Sequence, residues 1–341
     1  MMKKQNFISI TTIILLLVLY SGILQAQTKV GTSAFPFLGI GAGPKALSMG
    51  TATVATAGDA SSLFWNPGAI AHLERNQISF SNMSWLVGTT VNYFGGVLNL
   101  GAGHFAGISY YNLDYGDEKV TTVEEQTGTG EYWSASDMAI GLSYARLLTD
   151  RFSLGGSLKY IQSSIWHETA KSMAVDIGLL FKTQLDGLQI GIAISNYGTD
   201  AQWDGSDLYQ KIDLDPDALG NNETLTAKMK TEKWALPLFF RLGLAYSKDL
   251  GKMSKITLAT DAFVPSDNEE QLNFGLEWLF FDQFALRAGY KGLGYNDSQE
   301  GLTLGGGLKI KVSNLGLMLD YSYQEFEYFD NVQTFGIGIY F

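Results

Sequence analysis

Positions 331–341 read NVQTFGIGIYF, and the alternation in that stretch sets the architecture. Phe335, Ile337, Ile339 and Phe341 share one face, while Thr334, Gly336, Gly338 and Tyr340 share the other. A period of two belongs to a β-strand, whose successive side chains point to opposite sides. A helix is excluded here. Positions 315–324 repeat the scheme, with Leu315, Leu317, Leu319, Tyr321 and Tyr323 opposite Gly316, Met318, Asp320, Ser322 and Gln324. So do Leu272, Phe274, Leu276, Trp278 and Phe280 against Asn273, Gly275 and Glu277, and Leu236, Leu238, Phe240, Leu242 and Leu244 against Arg241 and Gly243. Between residues 77 and 341 there are roughly fourteen such segments, an even number as a bacterial outer-membrane barrel requires. Tight turns (Leu148-Thr149-Asp150, Asp186-Gly187, Phe281-Asp282, Ser313-Asn314) alternate with longer polar stretches, the longest near 113–135 and 198–234. Both long stretches fall at odd-numbered connections. Short periplasmic turns and long external loops produce that alternation. With a periplasmic N-terminus, an even count also returns the C-terminus to the periplasm, and the outward Phe341 reads as the barrel's C-terminal signal.

Composition agrees. The chain has 341 residues, a net charge of -11 and no cysteine. Twenty-three Lys and Arg are too few for a basic nucleic-acid surface. The lack of cysteine removes disulfides, thiolate metal sites and thiol nucleophiles together. Charged residues make up 17%, against about 25% in soluble domains, yet mean hydropathy is only +0.04. A barrel showing lipid an apolar face and its lumen a polar one reconciles the two figures. A soluble sandwich with the same alternation would need far more Lys and Glu on its polar face. The fold class is therefore all-β: a transmembrane antiparallel barrel of about 14 strands, occupying residues 76–341.

Residues 1–26 read as a signal peptide. Lys3 and Lys4 precede the apolar run 13–20, and Leu24-Gln25-Ala26 offers a small residue at the cut. The apolar run is short of the ~20 residues a spanning helix needs. The expected location is the outer membrane, after cleavage near Ala26.

Residues 27–75 differ: small residues dominate and the alternation is absent. Three stretches stand out: Phe37-Leu38-Gly39-Ile40-Gly41, Ala46-Leu47-Ser48-Met49-Gly50, and Asp59-Ala60-Ser61-Ser62-Leu63-Phe64-Trp65-Asn66-Pro67-Gly68. They resemble the N-terminal region of the PorV/PorQ family, itself similar to FadL-type outer-membrane transporters. The resemblance is specific over residues 35–75 and architectural beyond. It implies a fourteen-stranded barrel with an N-terminal hatch in the lumen, and it places Asn66, Pro67 and Gly68 where those families carry Asn-Pro-Ala. Asn-Pro makes a side-chain-capped turn of fixed φ. An ordinary turn entering a short helix would look the same.

Other motifs are weak. Gly39-x-Gly41-x-Gly43 lacks the third glycine at nucleotide-binding spacing. Asp213-x-Asp215-x-Asp217 resembles an EF-hand opening, but Ala218 and Thr224 stand where glycine and glutamate are required. His72, His104 and His167 show no metal-ligand spacing, and the pair His167-Glu168 is the sole hint of hydrolysis. We expect no enzyme activity, no metal and no cofactor. By parity Lys159, Arg241, Arg287 and Lys309 face inward with Asp176, Asp261, Glu277 and Asp320. The balanced signs suggest a network joining wall to hatch rather than an anion-selective pore; a ligand carboxylate on Arg241 or Arg287 is the functional alternative. Among the loop aromatics, Trp166 and Trp234 sit by strand ends as lipid-belt residues do. Trp203 and Tyr209, within the acidic stretch Asp200, Asp204, Asp207, Asp213, Asp215 and Asp217, are candidates for contact with a partner.

Two functions remain open. The PorV/PorQ resemblance implies a non-enzymatic component of protein export or surface attachment by type IX secretion, with outer-membrane lipid and other exported or outer-membrane proteins as partners. The FadL similarity implies a transporter of hydrophobic small molecules.

Overall fold

A computed structural model describes residues 30–341 except 57, 214–223, 252 and 296–297. The signal peptide and its cut, and Asp215, Asp217 and Ala218, lie outside the described residues. The strands are β1 Gln77–Ser84, β2 Thr90–Gly101, β3 His104–Lys119, β4 Tyr132–Thr149, β5 Phe152–Ile165, β6 Glu168–Lys182 and β7 Leu188–Gly198. Then come β8 Ala201–Gly205, β9 Tyr209–Ile212, β10 Leu225–Lys228 and β11 Lys233–Trp234. The series ends with β12 Phe239–Asp249, β13 Ser254–Pro265, β14 Gln271–Phe280, β15 Phe284–Leu293, β16 Glu300–Val312, β17 Leu315–Phe326 and β18 Val332–Tyr340. β1–β7 and β12–β18 are the fourteen staves of a closed antiparallel barrel, each bonded to the next and β7 to β12. Closure runs from Gln77↔Tyr340 to Ser84↔Gln333. Outward Leu142, Phe335 and Ile337 are exposed as lipid-facing residues must be. The protein is an outer-membrane β-barrel.

Turn chemistry matches position. Phe281 and Asp282 are both left-handed, at φ 54° and 55°. Two such residues make the hairpin turn whose twist suits its flanking strands. The β3–β4 hairpin rises past the barrel, so the expected loop 113–135 shortens to 120–131.

Three expectations change. Leu236 is buried, not lipid-facing, because β12 begins only at Phe239. Before that point the chain folds over the outer end of β7, where the Asn196 side chain donates to Pro237 O at 3.0 Å. The described parts of stretch 198–234 are not structureless. β8 continues the sheet on β6 through Glu168↔Gly205 to Ala170↔Trp203, β11 pairs with β8, and β9 pairs with β10. Finally, the described chain starts at the outer mouth rather than at the periplasmic end. Ala34 N–H donates to Ala235 O at 2.8 Å, and Ser33 bonds Asp267 in the β13–β14 connection. From there residues 36–73 descend through the lumen. Arg75 reaches Asn314 O in the periplasmic β16–β17 turn at 3.2 Å. The C-terminus is still periplasmic, because β1 starts at that end.

The descent accounts for a group of the inward glycines among the chain's 39. Inward glycines let hatch backbone lie against the wall. A Cβ on Gly155 would stand 2.5 Å from Pro67 O, and one on Gly275 2.6 Å from Met49 O. A side chain at either position would push the hatch away.

The last strand ends on a bond of its own, Phe341 N–H to Asn76 O at 3.0 Å. Removing Tyr340 and Phe341 is expected to lower the yield of inserted barrel several-fold, whereas a two-residue deletion within 214–223 leaves it unchanged. Membrane fractionation reads both. A closed barrel has no edge from which to unravel. Unboiled in SDS it should therefore migrate faster than after boiling, and recovery as a detergent-free soluble monomer would contradict the architecture.

Candidate functional site

The hatch turn is built by one side chain. Asn66, 1% exposed, caps its own turn by accepting from Gly68 N–H at 3.0 Å. Its amide also donates to Val54 O at 2.7 Å within the hatch and to Leu179 O of β6 at 2.9 Å. Pro67 opens a 3-10 helix, Pro67–His72, with its fixed φ, and Ser153 of β5 donates to Gly68 O at 2.8 Å. Asn66, Pro67 and Gly68 therefore sit against the wall inside the lumen.

The inward charges form separate groups rather than one network. Asp261 accepts from Thr53 N–H at 2.8 Å and Val54 N–H at 2.9 Å, clamping hatch backbone. Arg287 bridges Glu277 and Asp320, at 2.6 Å each, and Lys45 of the hatch lies 3.9 Å from Glu277. Lys159 pairs with Asp176 at 2.8 Å, and Asp176 caps the left-handed Asn196 through its N–H at 2.8 Å. Arg241 lies over the rings of Trp65, Phe239 and Phe263, 4.6–5.3 Å from their centroids. Lys309 makes no ion pair among the described residues and borders a periplasmic vestibule of about 650 Å³.

Parity alone missed the apolar content of the lumen. Phe35, Phe37, Leu38 and Leu47 of the hatch form a buried cluster with Tyr93, Tyr111 and Ile161 of the wall. Phe37 and Tyr111 stack at 5.9 Å, and the Tyr111 hydroxyl donates to Ile40 O at 2.9 Å. Within this packing, beside Arg241 and Lys159, the cavity is about 30 Å³, room for one water. Tyr93 and Tyr111 were visible as aromatic residues on the inward register of β2 and β3.

At the outer mouth a crevice of about 530 Å³ opens between β3, β4, β8, β11 and the start of the hatch. Trp133, Trp203 and Trp234 line it with Tyr115 and Phe35. Trp203 is half-buried there, and Trp234, placed beside a strand end by sequence, faces this crevice. Tyr209 stands apart and exposed, with the Lys228 ammonium 5.3 Å over its ring. Lys228 bonds Asp204, which holds that carboxyl below its usual range and the ammonium above its own.

The histidines occupy three separate settings. His72, at the periplasmic end of the hatch, is pushed down to about 4 by burial and then by Lys182, so it stays neutral. His104 bonds Tyr144 at 2.5 Å. His167 Nδ1 lies 3.1 Å from Asp207, whose carboxylate stands between the ring and the Ser206 hydroxyl.

Comparison with known proteins adds two findings. The family model described as type IX secretion system protein PorV matches residues 23–214. No curated protein matches. Among solved structures, the monoaromatic hydrocarbon channel CymD superposes with a TM-score of 0.57 at 13% identity, covering 90% of this chain and 98% of that one. The toluene transporter TodX of P. putida gives 0.55 at 12%, covering 88% and 97%. A Pseudomonas aeruginosa FadL homologue gives 0.52 at 11%, covering 87% and 97%. At such identities the likeness is one of fold.

Proposed function

The chain belongs to the PorV family, and on that footing we propose that it is a component of protein export or surface attachment that engages another protein at its outer mouth. The observation that carries this reading is the filled lumen. Hatch residues bond to β2, β3, β5, β6, β13, β14 and β16, for example Tyr93 to Ala60 O at 2.9 Å, Asn273 to Thr51 at 3.1 Å and Gly50 N–H to Thr303 at 3.0 Å. A solute route through the barrel would have to break many of these at once. A plugged barrel still offers its outer surface, where three tryptophans converge. Tryptophan and tyrosine are the residues that anchor protein interfaces.

The alternative, carriage of a hydrophobic compound, draws support from the shared fold with CymD and TodX. A deletion strain separates the two. Under the export reading, exported proteins fail to reach the surface or medium, while uptake of toluene-like compounds is unchanged. Lost uptake with intact secretion would reverse the order, as would a fatty acid retained through native mass spectrometry.

A further inference from the structure

Resting on the export reading, we propose that the outer crevice is a receptor for an arginine side chain of the exported polypeptide, held between tryptophan rings and the carboxylate of Asp137. Asp137 lies on the inward register of β4 and is 6% exposed. Among the described residues it is the only carboxylate lining the crevice, and no described Lys, Arg or His lines it. Among the described residues it has no ion-pair partner. Its two oxygens each accept one hydroxyl, from Tyr115 at 2.7 Å and from Ser163. A carboxylate oxygen has two acceptor sites, so one remains on each oxygen. Two free acceptors side by side fit the parallel N–H pair of a guanidinium.

The rings supply the rest of the fit. A buried carboxylate among aromatic side chains is costly until a cation meets it. Indole faces attract cations, and a planar guanidinium stacks on them in a way that an ammonium does not. Trp133, Trp203, Trp234, Tyr115 and Phe35 leave about 530 Å³ open above Asp137, more than one side chain occupies. The net charge of -11 draws cationic segments toward the chain as a whole. An apolar ligand would use the rings but leave Asp137 uncompensated.

The test uses the purified barrel in an uncharged maltoside detergent, with tryptophan fluorescence as the readout. The probes are the peptide acetyl-Gly-Ser-Arg-Ser-Gly-amide and the same peptide with citrulline, which has arginine's shape without its charge. The arginine peptide is expected to bind at least tenfold more tightly. Asp137→Asn keeps hydrogen-bonding capacity toward Tyr115 and Ser163, so the fold should survive, as the gel shift on boiling reports. It should bring arginine down to the citrulline level. Trp203→Ala should weaken both peptides. Equal binding of the two peptides, no binding of either, or arginine preference persisting in D137N would overturn the inference. The deletion strain reports separately: an export defect without peptide discrimination removes only the arginine site, while arginine selectivity in a protein needed for hydrocarbon uptake removes the export reading.

Discussion

A barrel carrying Asn66→Ala and Pro67→Ala is expected to fold, insert and conduct in a planar bilayer, with the natural chain expected to stay silent there. The amide of Asn66 satisfies two buried carbonyls, Val54 O and Leu179 O, and its oxygen satisfies Gly68 N–H. Removing one partner of a buried hydrogen bond costs about 1–3 kcal/mol, so three orphaned groups destabilise the docked hatch by on the order of 4 kcal/mol. The wall loses only the bond to Leu179 O, and its strand pairing closes the barrel without the hatch. Openings of ion-channel type should therefore appear while the heat-induced gel shift stays near its original temperature. Asn66→Asp sharpens the test. Aspartate caps a helix as well as asparagine, so an ordinary turn would tolerate it. As a wall anchor it fails, since a carboxylate would face two carbonyl oxygens with nothing to donate. Silent N66D bilayers would mean that Asn66 only shapes its own turn.

What could be read beforehand follows from what each pattern encodes. Strand periodicity is local and two-valued, so the staves, the tight turns at Phe281-Asp282 and Ser313-Asn314, and the parity of the charged residues were all legible. Parity says which way Arg241 points but not what it meets, and it meets rings rather than a carboxylate partner. Likewise Leu236 obeys the alternation and still lies inside, because the strand it appears to extend has not yet begun. The hatch has no periodicity. Its course from outer mouth to periplasm is fixed by contacts between residues distant in sequence, such as Asn66 with Leu179 and Gly68 with Ser153 on adjacent staves. Asp137 was available as the inward carboxylate of β4, but its separation from every base among the described residues is a fact of three dimensions. The inward glycines were countable; that hatch backbone fills the space beside them was not.

Arg287→Met is expected to be the most damaging single change in the wall, and its rescue tells why. The guanidinium is 3% exposed and holds Glu277 and Asp320 at 2.6 Å each. Gly307 leaves the room, since a Cβ there would stand 2.9 Å from the Arg287 guanidinium. Removing the cation strands two carboxylates about a methionine of similar length, and breaking a buried ion pair costs roughly 3–5 kcal/mol. The temperature of the gel shift should fall by many degrees, with Lys45, 3.9 Å from Glu277, offsetting part of the loss at that carboxylate. Replacing the whole group is a different matter: buried ionic sets exchanged for neutral residues of similar volume are often neutral in stability. Arg287→Met combined with Glu277→Gln and Asp320→Asn should recover most of the lost temperature. If the triple variant melts no higher than R287M, the arginine acts by filling space beside Gly307, and its charge contributes little. Recovery with a still silent bilayer would assign the triad to the wall, leaving Asn66 and the Asp261 clamp to hold the hatch.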